Sequence, residues 1–223
     1  KKSILADVFD CDAYYGNSEA LIQSIPIHGV IGDQQSAAIG QKAYNFGDIK
    51  STYGTGCFVL MNTGKNFVLS KNNLLSTIAY KIGGKTYYAL EGSIFMAGAI
   101  IDWLKNSLQL IDNYKELENI LNNTDNNPGI VLVPAFTGLG APHWSPNARA
   151  SISGLTRDSN RNEIILSSIQ SISLQSLDLI SALENDTSHL FNSSIKTLKV
   201  DGGVTENEWF LQNLSDICNL NII

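Results

Sequence analysis

Apolar and polar residues alternate through short runs broken by glycine, and the pattern predicts strands and helices in mixed order. An apolar stretch over residues 27–31 reads as a short strand, and the Ala- and Gly-rich residues 34–45 as a helix ending near Gly47. Two β-like runs, 49–53 and 57–62, flank Gly54-Thr55-Gly56 and predict a hairpin. A second hairpin, 77–82 with 85–90, is signalled by Gly83-Gly84. A helix is expected from Glu91-Gly92-Ser93 to about Asn106, carrying Phe95, Ile100, Ile101, Trp103 and Leu104. Gly98 falls in its middle, where glycine costs about 1 kcal/mol relative to alanine, so another helix or a ligand should approach closely there.

A short surface helix over 114–122 follows, then a polar loop over 124–129 and a strand over 130–133. Residues 134–146 hold too much glycine and proline for regular structure, but their aromatics predict a packed loop. After a short strand at 151–153, the longest helix runs from Asn160 to about Glu184. It places Ile165, Ile169, Ile172, Leu179 and Leu183 on one face, with small Ser176 on the same stripe. A buried strand over 197–200 ends in Asp201-Gly202-Gly203. Thr205 then opens a helix, with Glu208 completing a capping-box signature and Phe210, Leu214 and Ile217 forming its apolar face. Residues 1–26 show no strong period beyond the turn signal Tyr14-Tyr15-Gly16-Asn17. This order predicts an α/β or α+β domain, neither a sandwich nor a bundle.

Composition narrows the function classes. Apolar content of 43% and charged content of 16% suit a folded chain with a substantial core. A net charge of −6 argues against a nucleic-acid partner or a membrane surface, which call for a basic patch. No apolar run approaches the roughly 20 residues of a membrane span. Cys11, Cys57 and Cys218 are scattered, without ligand spacing to a histidine, and read as reduced thiols of a cytoplasmic protein. In that compartment the sequons at Asn122, Asn185, Asn192 and Asn213 are accidents of an Asn-rich sequence. The opening Lys1-Lys2-Ser3 and the final Leu220-Asn221-Ile222-Ile223, half a strand, are expected to be internal to a longer chain.

The candidate chemistry lies in three places. Asp33, within Gly32-Asp33-Gln34-Gln35, ends an apolar run where a helix begins, so it reads as a helix cap or as a general base. Gly54-Thr55-Gly56 reads as a plain hairpin turn, or as a turn whose uncovered N–H groups admit an anion. Phe58, just after it, reads as a core residue or as a pocket wall. Asp201-Gly202-Gly203 between a strand and a helix reads as a common loop or a second phosphate and ribose contact. No P-loop, GxSxG or HExxH pattern is present, and His28, His143 and His189 stand apart from one another.

Gly-Asp-Gln-Gln combined with Ser51-Thr52-Tyr53-Gly54-Thr55-Gly56-Cys57-Phe58 resembles the C-terminal half of the FGGY carbohydrate kinases. Gly154-Leu155, Glu163-Ile164 and Ser167-Ser168-Ile169-Gln170 fit that family's second signature, a structural run. The loop from Phe136 to Trp144 is similar to that of the glycerol-kinase branch rather than the pentulose kinases. The resemblance implies a ribonuclease-H-like domain over 27–223, a leading segment over 1–26, and ATP-dependent phosphorylation of glycerol with Mg²⁺. It implies Asp33 as the base and Gln34 and Phe58 as contacts to glycerol. It further implies Thr55, Gly98, Asp102, Gly203 and Asn207 on the nucleotide side, although Asp102 stands where a glutamine is usual.

The departures matter as well. The family's N-terminal domain, which would be this chain's essential partner, and its closing alanine-rich helix are not in this sequence. The first 24 residues lack the Gly-Gly-Lys-Gly-Gly-Thr-Arg type of loop that binds a sugar bisphosphate. A homo-oligomer is compatible with the family. Kinases of another polyol or a pentulose, and an actin-like nucleotide-binding module without transfer chemistry, stand as the rival readings. Asp33 with Gln34 favours the kinase, because a pure nucleotide switch has no use for a polyol-binding glutamine.

Overall fold

The computed structural model describes residues 2–20, 22–126, 129–190 and 195–223. The Asn192 sequon and part of the 124–129 loop lie outside them. In chain order the elements are β1 (Asn17–Ser18), β2 (Ile25–Pro26), α1 (Asp33–Gly40), β3 (Ile49–Tyr53), β4 (Cys57–Gly64), β5 (Leu75–Ile82) and β6 (Lys85–Ile94). Then come α2 (Gly98–Asp102), running into a π-helical turn (Trp103–Ser107), α3 (Tyr114–Asn123), β7 (Val131–Val133), β8 (Ser151–Ser153) and α4 (Arg161–Thr187). The last are β9 (Thr197–Asp201), a 3₁₀ turn (Gly203–Glu206), α5 (Glu208–Cys218) and β10 (Asn221–Ile222).

Six strands form one mixed sheet in the order β10-β9-β3-β4-β6-β5. β10, β9 and β3 are parallel, and β3-β4-β6-β5 is antiparallel, two hairpins joined with β6 rather than β5 beside β4. The period of two along β3 and β4 sends Ile49, Tyr53, Cys57, Val59 and Met61 into the larger core with Ile165, Ile169, Ile172 and Leu179 of α4. Leu60 faces the other way, into a small cluster with Ala38 of α1, Ala79 and Ala89. The sheet is thus covered by helices on both faces, an α/β arrangement. The buried Tyr53 hydroxyl and Ser176 Oγ lie 2.9 Å apart, which explains the small residue on the α4 stripe. By length and composition α4 could cross a membrane, but its apolar residues are buried in the core.

Both predicted hairpins and the long helix are present, the helix opened by a complete capping box of Asn160 and Glu163. Gly83 and Gly84 take φ of 56° and 74°, the left-handed pair that a two-residue hairpin turn requires. Several expectations are corrected. Residues 27–31 form no strand: they make single hydrogen bonds with 11–16 and leave Ile27 and Val30 exposed. The first helix stops at Gly40, because Lys42 turns left-handed at φ 57°. No helix starts at Glu91, since Phe58↔Ser93 and Cys57↔Ile94 pairing extends β6 to Ile94. Gly98 therefore opens α2 rather than interrupting it. Thr205 spends its hydroxyl on the Gly202 carbonyl, and α5 is capped instead by Asn207, which accepts from the Phe210 N–H at 2.8 Å. Along β9 only Leu198 is fully buried, because half of that sheet edge remains open.

Near the end of α4, buried Asp186 accepts hydrogen bonds from Ser70 Oγ, the Lys71 N–H and Asn72 Nδ2, fastening the loop before β5. Burial pushes this carboxyl's pKa up, but the Ser70, Lys71 and Asn72 donors outweigh it and hold it below 3.8. Asp186→Ala leaves those donors unpaired and is expected to cost about 2–3 kcal/mol near neutral pH. A depressed carboxylate pKa contributes stability above the unfolded value that is lost as pH falls through the folded one. The gap between the thermal melts of wild type and variant should therefore narrow as pH falls below the ordinary carboxylate range.

Candidate active site

Asp33 is the first residue of α1. Gly32 holds the cap position and has no side chain to cap with, and only one oxygen of the Asp33 carboxylate is engaged at the helix start. Asp33 is exposed, and its Oδ1 takes the neighbouring Gln34 N–H at 2.7 Å. Gln34 is half-buried, and its Oε1 accepts from the ammonium of Lys50 on β3. The strand register sets what lies beside this pair. Asp201, Thr52, Phe58 and Ser93 are matched in one row across β9, β3, β4 and β6, on the face opposite the main core. Phe58 is 40% exposed there, although its neighbours Cys57 and Val59 are buried. It is a surface residue rather than a core one.

The glycine turn is held from behind. The Gly98 N–H donates to the Gly54 carbonyl at 2.8 Å, and the Ala97 and Ala99 N–H groups donate to that of Thr55 at 2.9 and 3.1 Å. A β-carbon on Gly98 would stand 2.7 Å from the Gly54 oxygen. Close approach of backbone to backbone is what this glycine serves. Thr55 itself is exposed at the tip.

The two glycines after Asp201 differ. Gly202, at φ 98°, has its α-carbon against Tyr53, where a β-carbon would meet the carbonyl oxygen at 2.4 Å. Gly203 has open space at that position. It lines a cavity of about 360 Å³ together with Ile101, Tyr114, Lys115, Glu118 and Asn207. With its Oδ1 engaged by the cap, Asn207 offers a ligand its Nδ2. Asp102 is exposed and stands outside the cavity lining. Val204 links the cavity to the glycine turn, lying 3.4 Å from where a Gly98 β-carbon would be.

The structure thus joins Asp33, Gln34 and Phe58 on one surface and Gly203 and Asn207 in one cavity, with the Thr55 turn fastened by Gly98. Lys50, Tyr114, Lys115 and Glu118 carried no sequence signal. A lysine inside a strand reads as a solvent-facing position, and the three α3 residues read as a surface helix. Among the described residues, no three His, Cys, Asp or Glu side chains gather to hold a metal.

Comparison with known proteins follows the same surface. The sequence model of the FGGY family of carbohydrate kinases, C-terminal domain, matches residues 49–223. The glycerol kinases of Ectopseudomonas mendocina and Alteromonas mediterranea are 47% and 48% identical to this chain over 222 residues. That is 99% of the chain, which spans 44% of their length. The crystal structure of Plasmodium falciparum glycerol kinase with ADP superposes with a TM-score of 0.89 at 41% identity, covering 99% of this chain and 44% of that one. A xylulose kinase from Brucella ovis shares the fold, with a TM-score of 0.81 at 17% identity over 96% of this chain and 44% of that one.

Proposed function

Because the chain belongs to the FGGY family of carbohydrate kinases, within that family's C-terminal domain, we propose that it is the nucleotide-side half of a cytoplasmic glycerol kinase. The reaction is MgATP plus glycerol to sn-glycerol 3-phosphate plus ADP. One observation carries this reading: an exposed carboxylate and a glutamine at a helix start, and an exposed phenylalanine on the same face of a sheet whose loop after β9 lines an open cavity at Gly203. The domain is read as 27–223, with 1–26 leading into it. The free thiols Cys11, Cys57 and Cys218 suit a reducing compartment.

In this reading a glycerol hydroxyl oxygen attacks the γ-phosphorus. The bond to the bridging oxygen breaks, ADP leaves, and the hydroxyl proton passes to Asp33. Phosphoryl transfer with a loose transition state asks little early proton removal of Asp33, so positioning and charge neutralisation dominate. Gln34 hydrogen-bonds the polyol and Phe58 covers its carbon chain. Thr55 and the bare N–H groups of the turn meet the phosphates, while Gly203 and Asn207 border the nucleoside. Mg²⁺ arrives with the nucleotide, bound by its phosphates. Gly98 acts on the turn from behind, and Asp102, next to Ile101 of the cavity lining, is read on the nucleotide side.

A coupled assay of the full-length enzyme against glycerol, other polyols and pentuloses tests the reading. Preference for a pentulose would move the assignment within the family, and nucleotide binding without any transfer would favour the actin-like module. Gly203→Val separates ligand from fold. Its side chain enters open cavity space, so MgADP binding is expected to weaken at least about tenfold, on the order of 1.4 kcal/mol, with the melting temperature unchanged. Gly202→Ala should do the reverse, costing about 1–3 kcal/mol of stability in backbone strain alone. Equal loss of stability in both variants would refute the cavity as the nucleotide side.

A further inference from the structure

The side chain of Lys50 is fully buried, in the middle of a sheet strand. Removing an ammonium from water is costly, and such a group is normally retained with a carboxylate in direct contact. Here both hydrogen-bond acceptors are neutral: Gln34 Oε1, and Thr52 Oγ1 at 2.9 Å. Asp201, Glu91 and Asp33 act on the ammonium only through space. Burial lowers the pKa of Lys50 from the ordinary lysine value, and Asp201 is the largest opposing influence. Asp201 has one oxygen on Gln41 Nε2 at 3.0 Å and the other buried without a hydrogen-bond partner among the described residues. The charge is therefore directed at an amide on the first turn of α1.

That contact has one consequence. An amide has an accepting end and a donating end, and a cation accepts only the oxygen as neighbour. With Oε1 held, the Nε2 hydrogens must be offered elsewhere. We propose that Lys50 is a positioning residue that locks the Gln34 amide with its NH₂ free for substrate, so that the polyol oxygen at this point is bound as an acceptor. The polyol's own proton is then left for another group, and Asp33 is the adjacent residue. This rests on the glycerol-kinase reading for the identity of the substrate, but the Lys50–Gln34 linkage itself does not.

Two arms on the full-length enzyme test it separately. Gln34→Glu keeps an oxygen for Lys50 and removes the donor, whereas Gln34→Ala removes both. The expected stability order is Gln34→Glu at or above wild type, with Gln34→Ala below it, since only the latter strands the buried cation. The expected kinetic result is that both raise the glycerol KM about tenfold or more, with MgADP affinity by calorimetry within about twofold of wild type. Lys50→Met should raise the glycerol KM similarly, and adding it to Gln34→Ala should change KM by less than about twofold, because the two act as one unit. Lys50→Arg should restore part of the loss.

Full additivity of the double variant, a normal glycerol KM in Gln34→Glu, or equal melting temperatures for Gln34→Ala and Gln34→Glu would each overturn the proposal. If Lys50→Met does not fold, the two Gln34 variants still decide. Absence of glycerol turnover in wild type would instead sink the substrate assignment, and the melting-temperature arm would still judge the linkage.

Discussion

Produced on its own, the 223-residue chain is expected to bind MgADP and to leave glycerol unphosphorylated. Binding should survive because the nucleotide-side groups are internal to this chain: the Thr55 turn is tied to α2, and Gly203 and Asn207 line one cavity. Transfer should not, because the groups proposed for glycerol lie on a single open wall. Asp33 is exposed at the start of α1 and Phe58 is exposed on β4, and among the described residues no second surface closes over them. Holding two reactants in near-attack geometry supplies about 7–11 kcal/mol of a barrier, and one wall cannot do that. An open site also admits water, which competes with glycerol and weakens every electrostatic contact to the phosphates. Calorimetric titration with MgADP, a circular-dichroism melt to establish folding, and a coupled turnover assay settle the matter. Glycerol turnover by a folded chain at rates comparable to a complete glycerol kinase would overturn the one-wall argument.

In the full-length enzyme, Asp33→Asn is expected to lower kcat by about 10²- to 10⁴-fold, the usual loss when a positioned general base is removed. The structure makes this variant a clean test. Asn keeps an Oδ1 for the Gln34 N–H that Asp33 accepts at 2.7 Å, so the substitution forfeits mainly the negative charge near the helix N-terminus, about 0.3–1 kcal/mol. The melting temperature and the MgADP affinity should therefore stay close to wild type while turnover collapses. Normal turnover would return Asp33 to a local role in starting α1.

Much of the fold was legible because its strongest signals are local. Gly54-Thr55-Gly56 and Gly83-Gly84 mark their hairpins unambiguously, and the apolar stripe from Ile165 to Leu183 defines a core helix. What escaped depends on partners remote in sequence. Glu91-Gly92-Ser93 has the look of a helix start, but β4 offers hydrogen bonds through Ile94, and Gly92 is needed in the strand because Leu179 packs where its β-carbon would be, 2.7 Å away. The capping box at Thr205 is matched in composition, yet the close pass of Gly202 against Tyr53 draws the Thr205 hydroxyl back to the Gly202 carbonyl.

The candidate site divides the same way. Motif residues such as Asp33, Gln34 and Gly203 announce themselves in sequence. The cavity residues of α3 come together only when α3 meets the 3₁₀ turn after β9, and Lys50 is buried behind Gln34 only when β3 and α1 meet. Gly98 shows both sides. A close approach was expected there from a helix or a ligand on a mid-helix glycine, whereas Gly98 opens α2 and what comes close is the Gly54 carbonyl of the hairpin turn.

The parallel pairing of β3 with β9 sets an order of assembly. The antiparallel part from Ile49 to Ile94 is contiguous, so it can form while the chain is still being synthesised. Until β9 emerges, β3 presents an unpaired edge, the kind of edge along which foreign strands add. Lys50 stands between Ile49 and Ser51 on that edge, and a charged residue on a waiting strand is a recognised defence against such pairing. The lysine that ends up buried against Gln34 would thus serve the nascent chain first as a gatekeeper.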